Sequence, residues 1–133
     1  MTSEAYSPTV LEHFNNPRNA GEMDAADGVG VRTNPVCGDT MRLMIRVADE
    51  RIIDARWKTI GCPAAIATSS IATDMIKGRA LDEVSGLTRE EIAAAAGGLP
   101  ASKLHCSVLA ADALRAAIAD YRAKSRAAPS STV

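Results

Sequence analysis

Aromatic residues are scarce in this chain of 133 residues, where Trp57, Tyr6, Tyr121 and Phe14 form the complete set. Any core is therefore built almost wholly from aliphatic side chains and alanine. No apolar run approaches the ~20 residues that a membrane-spanning helix requires. An excess of charge is missing too, with 15 Lys and Arg against 16 Asp and Glu for a net charge of −1. A nucleic-acid binder normally carries a strong basic surplus, so that class is disfavoured. The first residues, Met1 to Tyr6, include Glu4 and no apolar stretch, the pattern of neither a signal peptide nor an Arg-rich transit sequence. The expected setting is cytoplasmic and reducing. Cysteines number three, and an odd set in a reducing compartment is no disulfide framework. Paired Cys-x-x-Cys knuckles are absent as well, which disfavours a plain structural zinc finger.

What is present falls into two halves. Ser7-Pro8 opens a short helix over Thr9 to about Asn15, which Asn16-Pro17 stops because the residue before proline avoids the helical region. Residues 17–30 are rich in turn formers, and a weakly patterned strand is expected near Val29–Val36. Over Thr40–Val47, Met41, Leu43, Ile45 and Val47 alternate with Thr40, Arg42, Met44 and Arg46, the two-residue period of a half-buried strand. After the polar turn Asp49-Glu50-Arg51, Ile53, Ala55 and Trp57 are expected on one face of the next strand. Cys62-Pro63 then starts a helix running to Lys77, with proline at the first helical position. Thr88-Arg89-Glu90-Glu91 has capping-box spacing, with Leu87 and Ile92 placed as a hydrophobic staple. A last helix is expected from Ser102 or Lys103 to about Arg122, with Leu104, Val108, Ala111, Leu114, Ile118 and Tyr121 as its apolar stripe. Residues 125–133 have nothing to bury and read as a disordered tail after a single domain spanning residues 1–124. Strands first and helices afterwards predict an α+β fold, a small three-stranded antiparallel sheet with helices packed on one face.

The three cysteines fall at ends of elements rather than within apolar stripes. Cys37 lies in the turn Val36-Cys37-Gly38-Asp39, Cys62 at a helix N-cap, and Cys106 in the first turns of the last helix, after His105. Helix N-termini carry partial positive charge, so depressed thiol pKa values are expected for Cys62 and Cys106. Asp39 points its carboxylate the same way as Cys37 if the segment is extended. His105 and Cys106 diverge by about 100° on a helix, so both reach one metal only at its exposed end. The same divergence disfavours a thiol enzyme using His105 as base to Cys106. Three thiolates, one carboxylate and one imidazole suit zinc or an iron–sulfur cluster equally. Gly28-Val29-Gly30 is only a fragment of a glycine-rich loop and no argument for nucleotide binding.

The blocks HFNNPRNAG (His13–Gly21), VCGD (Val36–Asp39), GCPAAIATSS (Gly61–Ser70), KGRALDE (Lys77–Glu83) and LHCSVLAADALRAAIADY (Leu104–Tyr121) resemble the IscU-type iron–sulfur cluster scaffold, the domain also found at the N-terminus of NifU. The resemblance covers about residues 6–124. It implies an IscU/SufE-like fold with the cysteines gathered at one exposed tip, and a carrier rather than an enzyme. By that resemblance, Cys37, Cys62 and Cys106 are cluster ligands, Asp39 and His105 are auxiliary ligands, and Cys106 is the persulfide acceptor. It further implies a transient [2Fe–2S] cluster built from Fe2+ and the sulfur of an IscS/NifS-like cysteine desulfurase. A ferredoxin and a frataxin-like protein would assist, apo iron–sulfur proteins would receive the cluster, and the isolated protein would accept Zn2+.

Two comparisons refine the resemblance. Before the last cysteine, chaperone-dependent members read Leu-Pro-Pro-Val-Lys, where this chain has Leu99-Pro100-Ala101-Ser102-Lys103. Leu99, Pro100 and Lys103 stay as a partner-binding segment, but a dedicated DnaK-type chaperone finds its motif incomplete. The related SufU-type proteins, zinc-containing sulfur acceptors, carry an insertion between the second and third cysteines and lack a histidine before the last one. His105 and the short connection here favour the scaffold, with the SufU-type role as the alternative.

Overall fold

The structure, a computed structural model, describes residues 6–35 and 38–127. In chain order it contains α1 (Pro8–Asn15), β1 (Gly28–Thr33), β2 (Thr40–Ala48), β3 (Arg51–Ile60), α2 (Pro63–Ile76), α3 (Leu81–Val84), α4 (Arg89–Ala95), a 3-10 turn (Ala101–Lys103) and α5 (His105–Ala127). The strands form one antiparallel sheet in the order β1-β2-β3. The α+β architecture expected from the sequence is the one observed. No described helix is long and apolar enough to cross a membrane.

The alternation in β2 buries Met41, Leu43 and Ile45 against α2, α4 and α5, where Ala72, Ile76, Ile92, Leu109, Ala113 and Leu114 complete the main core. Two details depart from the simple two-residue period. Register slips between Arg46 and Val47, which pair with Asp54 and Ile52 and leave Ile53 as the extra residue of a bulge. A bulge resets which side chains face inward, so Ile52 is buried while Ile53, expected inside, is half exposed. Met44 lies on the outward side with Arg42 and Arg46, yet it is fully buried. The loop between α1 and β1 hydrogen-bonds to the sheet on either side of it, with Asp27 N donating to Ile45 O at 2.9 Å and Gly21 N to Trp57 O at 2.9 Å.

Capping chemistry sets the helix starts. The Ser7 hydroxyl accepts from Val10 N, and Pro8 occupies the first helical position of α1. Thr88 and Glu91 form the reciprocal capping box of α4, and the staple residues Leu87 and Ile92 are both buried. The four-residue α3 was not expected; it is too short to show a period.

Helix α5 differs most from its sequence pattern. Leu104 is 48% exposed and Val108 only partly buried, whereas Leu109, Ala110, Ala113 and Ala117 join Ala111, Leu114 and Ile118 inside. The helix packs on the sheet, α2 and α4 at once. Alanines that look neutral in sequence form its contact with β1. There Gly28 and Gly30 have no side chain to obstruct it, so the helix backbone comes close enough that a Cβ on Gly30 would lie 2.2 Å from Ala113 O and 2.5 Å from Ala117 N. The two glycines are a packing seat for α5. The helix also runs on to Ala127, past its expected end near Arg122 and into the expected tail; residues 128–133 of that tail lie outside the described residues.

Candidate metal centre

Three chain segments meet at one end of the sheet. Asp39 immediately precedes β2, Cys62 follows the Gly61 bend after β3, and Cys106 is the second residue of α5. Cys62 takes extended backbone angles (φ −73°, ψ 168°) at the N-cap of α2 and makes no side-chain capping bond. Its thiol is thereby left to face the other two groups. Asp39 is held by the turn before it, where Asn34 N donates to Asp39 O and Gly38 N to Asn34 O, both at 2.8 Å. Gly38 adopts φ +80°, a conformation open to glycine at little cost. Cys37, the remaining expected ligand, lies outside the described residues.

The Sγ atoms of Cys62 and Cys106 are 3.8 Å apart. Ligand atoms of Asp39, Cys62 and Cys106 all lie within 4.8 Å of one another. A tetrahedral metal with metal–sulfur bonds of ~2.3 Å separates two of its sulfurs by about 3.8 Å. The two thiols therefore stand at the spacing a single tetrahedral iron or zinc would impose, with the carboxylate as a third donor. The donor set is of the kind such a metal takes, with its ligand atoms within 4.8 Å of one another.

Burial differs sharply between the sulfurs. Cys106 is fully buried, packed with Ala64 and Ala65, while Cys62 is partly exposed. The expected depression of the Cys106 pKa is overturned: burial pushes this thiol well up, helped by the neighbouring Cys62 thiol, by its hydrogen bond to Cys62, and by the negative charge of Asp39. The Lys103 ammonium is the one influence acting the other way. A helix terminus contributes about 0.3–1 kcal/mol at an exposed site, whereas removing a thiolate from water costs several times more. Helix position alone misled because it says nothing about desolvation.

His105 opens α5 but is not in this group. It is partly buried and lines a surface pocket of about 340 Å³ with Arg89, Glu90, Ala93, Leu104 and Val108, on the α4 side of the helix. The divergence expected between neighbouring helical residues accounts for its placement. Within the 99–103 segment, Leu99 packs partly buried against Val10, Ala67 and Ile71. Pro100 precedes the 3-10 turn and Lys103 ends it.

Sequence reasoning missed the supports of the site. Thr59 Oγ1 and Ser69 Oγ are 2.6 Å apart and tie the end of β3 to α2. Thr68 is fully buried and donates to Ala64 O at 2.9 Å inside the same helix. His13 brings Nδ1 to 2.7 Å from Ser70 Oγ and fastens α1 to α2. Gly61 was also overlooked, although a glycine between a strand and a helix-capping cysteine is a visible signal of close approach.

Residues 5–128 match the NifU-like N terminal domain family. The chain belongs to that family. It is 58% identical over 116 residues to "Iron-sulfur cluster assembly scaffold protein IscU 1" of Archaeoglobus fulgidus, covering 87% of this chain and 76% of the relative. It is 50% identical over 127 residues to "Iron-sulfur cluster assembly scaffold protein IscU" of Escherichia coli K12, covering 92% and 98%. Among solved structures, a NifU-like protein (N-terminal) from Brucella abortus superposes with TM-score 0.72 at 18% identity, covering 89% of this chain and 94% of that one. At that identity the likeness concerns the fold alone.

Proposed function

We propose that this protein is a scaffold on which a labile [2Fe–2S] cluster is assembled from desulfurase-derived sulfur and ferrous iron, and from which the cluster passes to apo-acceptor proteins. The observation that carries this reading is the convergence of Asp39, Cys62 and Cys106 within 4.8 Å at the end of the sheet. Family membership and relatives that are named scaffolds support it. The cluster is cargo here, and the chain's task is to hold it and let it go.

In this reading Cys62 and Cys106, 3.8 Å apart, share one iron. Cys37 serves the other iron, with Asp39 or His105 as the exchangeable ligand. A mixed donor set suits release, because an oxygen or nitrogen ligand is displaced more readily than a thiolate in a buried four-cysteine site. Cys106 also accepts sulfur as a persulfide from an IscS/NifS-like desulfurase. Burial raises its thiol pKa, so a docked desulfurase or arriving Fe2+ that draws off the proton makes it the better nucleophile; its attack on the desulfurase persulfide releases the desulfurase thiolate. Ferredoxin and a frataxin-like protein remain the proposed helpers, and the segment of Leu99, Pro100 and Lys103 a proposed partner contact. The proposed location is the cytoplasm.

The same three donor atoms also suit zinc, which supports a second reading as a SufU-type sulfur acceptor. Anaerobic incubation with Fe2+, cysteine and a desulfurase separates the two. The scaffold reading expects [2Fe–2S] absorption that moves to an apo-ferredoxin; persulfide on Cys106 with no transferable cluster would replace it with the sulfur-acceptor reading. Asp39→Ala is expected to lengthen the lifetime of the holo protein, followed by decay of visible absorption. A shorter lifetime would remove Asp39 from the release step.

A further inference from the structure

The Gly61 backbone is not in the left-handed region, because the described glycines with positive φ are 21, 38, 78, 97 and 98. Conformation therefore does not demand glycine at this position. Space does. A Cβ built on Gly61 would lie 2.7 Å from Asp39 Cγ and 3.0 Å from each of its carboxylate oxygens. Equal distances to both oxygens mean that the missing methyl would press on the flat of the carboxylate. All three nearest atoms belong to this one acid, and Asp39 is only 9% exposed.

We propose that Gly61 is a positioning residue for Asp39: its bare Cα is the floor on which the carboxylate rests, within reach of the Cys62 and Cys106 sulfurs. Any side chain at position 61 pushes the acid away from the sulfurs while leaving both thiols in place. The neighbour that must yield is the end of a side chain with two torsions, not backbone, so the acid moves and the fold stays. Gly61 thereby sets which oxygen ligand the metal meets, although it offers no donor itself.

The proposal rests on the metal-binding reading of the site, yet its test is independent of cluster transfer. Co2+ is titrated into the reduced, metal-free full chain, and thiolate charge-transfer and d–d absorption are followed in the natural protein, Gly61→Ala, Asp39→Ala and the double variant. Gly61→Ala is expected to weaken Co2+ binding about tenfold, in the range typical of residues that orient ligands. Its d–d bands should match those of Asp39→Ala, and the double variant should bind no more weakly than Asp39→Ala alone. Effects that add in the double variant, or natural binding by Gly61→Ala, overturn the proposal. If Gly61→Ala fails to fold, the double variant should fold again, since its clash partner is gone; a double variant that also fails to fold overturns it equally. Non-additive Co2+ binding without any cluster transfer would leave Gly61 in this role and remove the scaffold reading instead.

Discussion

Gly30→Ala should be among the most damaging single-methyl additions in the chain. Its Cβ would sit 2.2 Å from Ala113 O, 2.5 Å from Ala117 N and 2.9 Å from Ala116 Cβ. Carbon–oxygen contacts are ordinarily no closer than about 3.2 Å, so strand and helix must part by about 1 Å. Two of the three atoms are helix backbone and cannot rotate away, unlike the acid above Gly61. Overpacking costs about 1–3 kcal/mol where side chains absorb it, and here the upper end applies, about 3 kcal/mol. That is a large share of the 5–15 kcal/mol typical of a domain. With an unfolding entropy near 2.1 cal/mol/K per residue, a chain of this length loses about 3–4 °C per kcal/mol, so Tm should fall by about 10 °C. The assay is urea unfolding with thermal melts, using Gly86→Ala as control. A Cβ on Gly86 meets nothing closer than 3.8 Å, and its effect should stay within about 0.5 kcal/mol. Equal midpoints for the two variants, at unchanged m-value, would refute the account of Gly30 as a seat for α5.

Further expectations concern the hairpin, the α1 contact and the sulfur pair. Asp49 and Glu50 connect β2 and β3 with φ of 54° and 62°, the type I′ geometry that favours glycine at its second position; Glu50→Gly should therefore raise stability by about 0.5–1 kcal/mol in urea unfolding. Burial, then the Arg18 charge, lower the pKa of His13, against opposing pulls from Asp74 and Glu12. A histidine whose folded pKa lies below its unfolded value of about 6.5 contributes stability that is complete above that pH and lost as pH falls through the folded pKa. Tm should accordingly drop on acidification below pH ~6.5, and less steeply in His13→Gln; parallel slopes would dismiss the histidine. Diamide should join Cys62 and Cys106, whose sulfurs are 3.8 Å apart, into a disulfide that mass spectrometry reads as the loss of two hydrogens, and Cys62→Ser should abolish that species.

The amino-acid order by itself determined the order of the longer elements, though not the short α3, together with the capping of α1 and α4 and the inward set of β2. The resemblance pointed to Asp39, Cys62 and Cys106 as one group. These follow from local rules, a two-residue period, an N-cap, or a cysteine at an element end, and from a family resemblance carried by the same residues. Only the tertiary structure decided the rest. The bulge that turns Ile52 inward depends on pairing with β2, and the burial of Met44 on the outward side of β2 breaks that strand's two-residue period. The inner face of α5 is defined by the glycines it lands on. The raised Cys106 pKa comes from the surroundings of Ala64 and Ala65, not from its place on a helix. Steric fit and desolvation arise between segments distant in sequence, so neither leaves a period or spacing to read. That is why Gly61 beside Asp39 and Gly30 beneath α5 declare their roles only once the chain is folded.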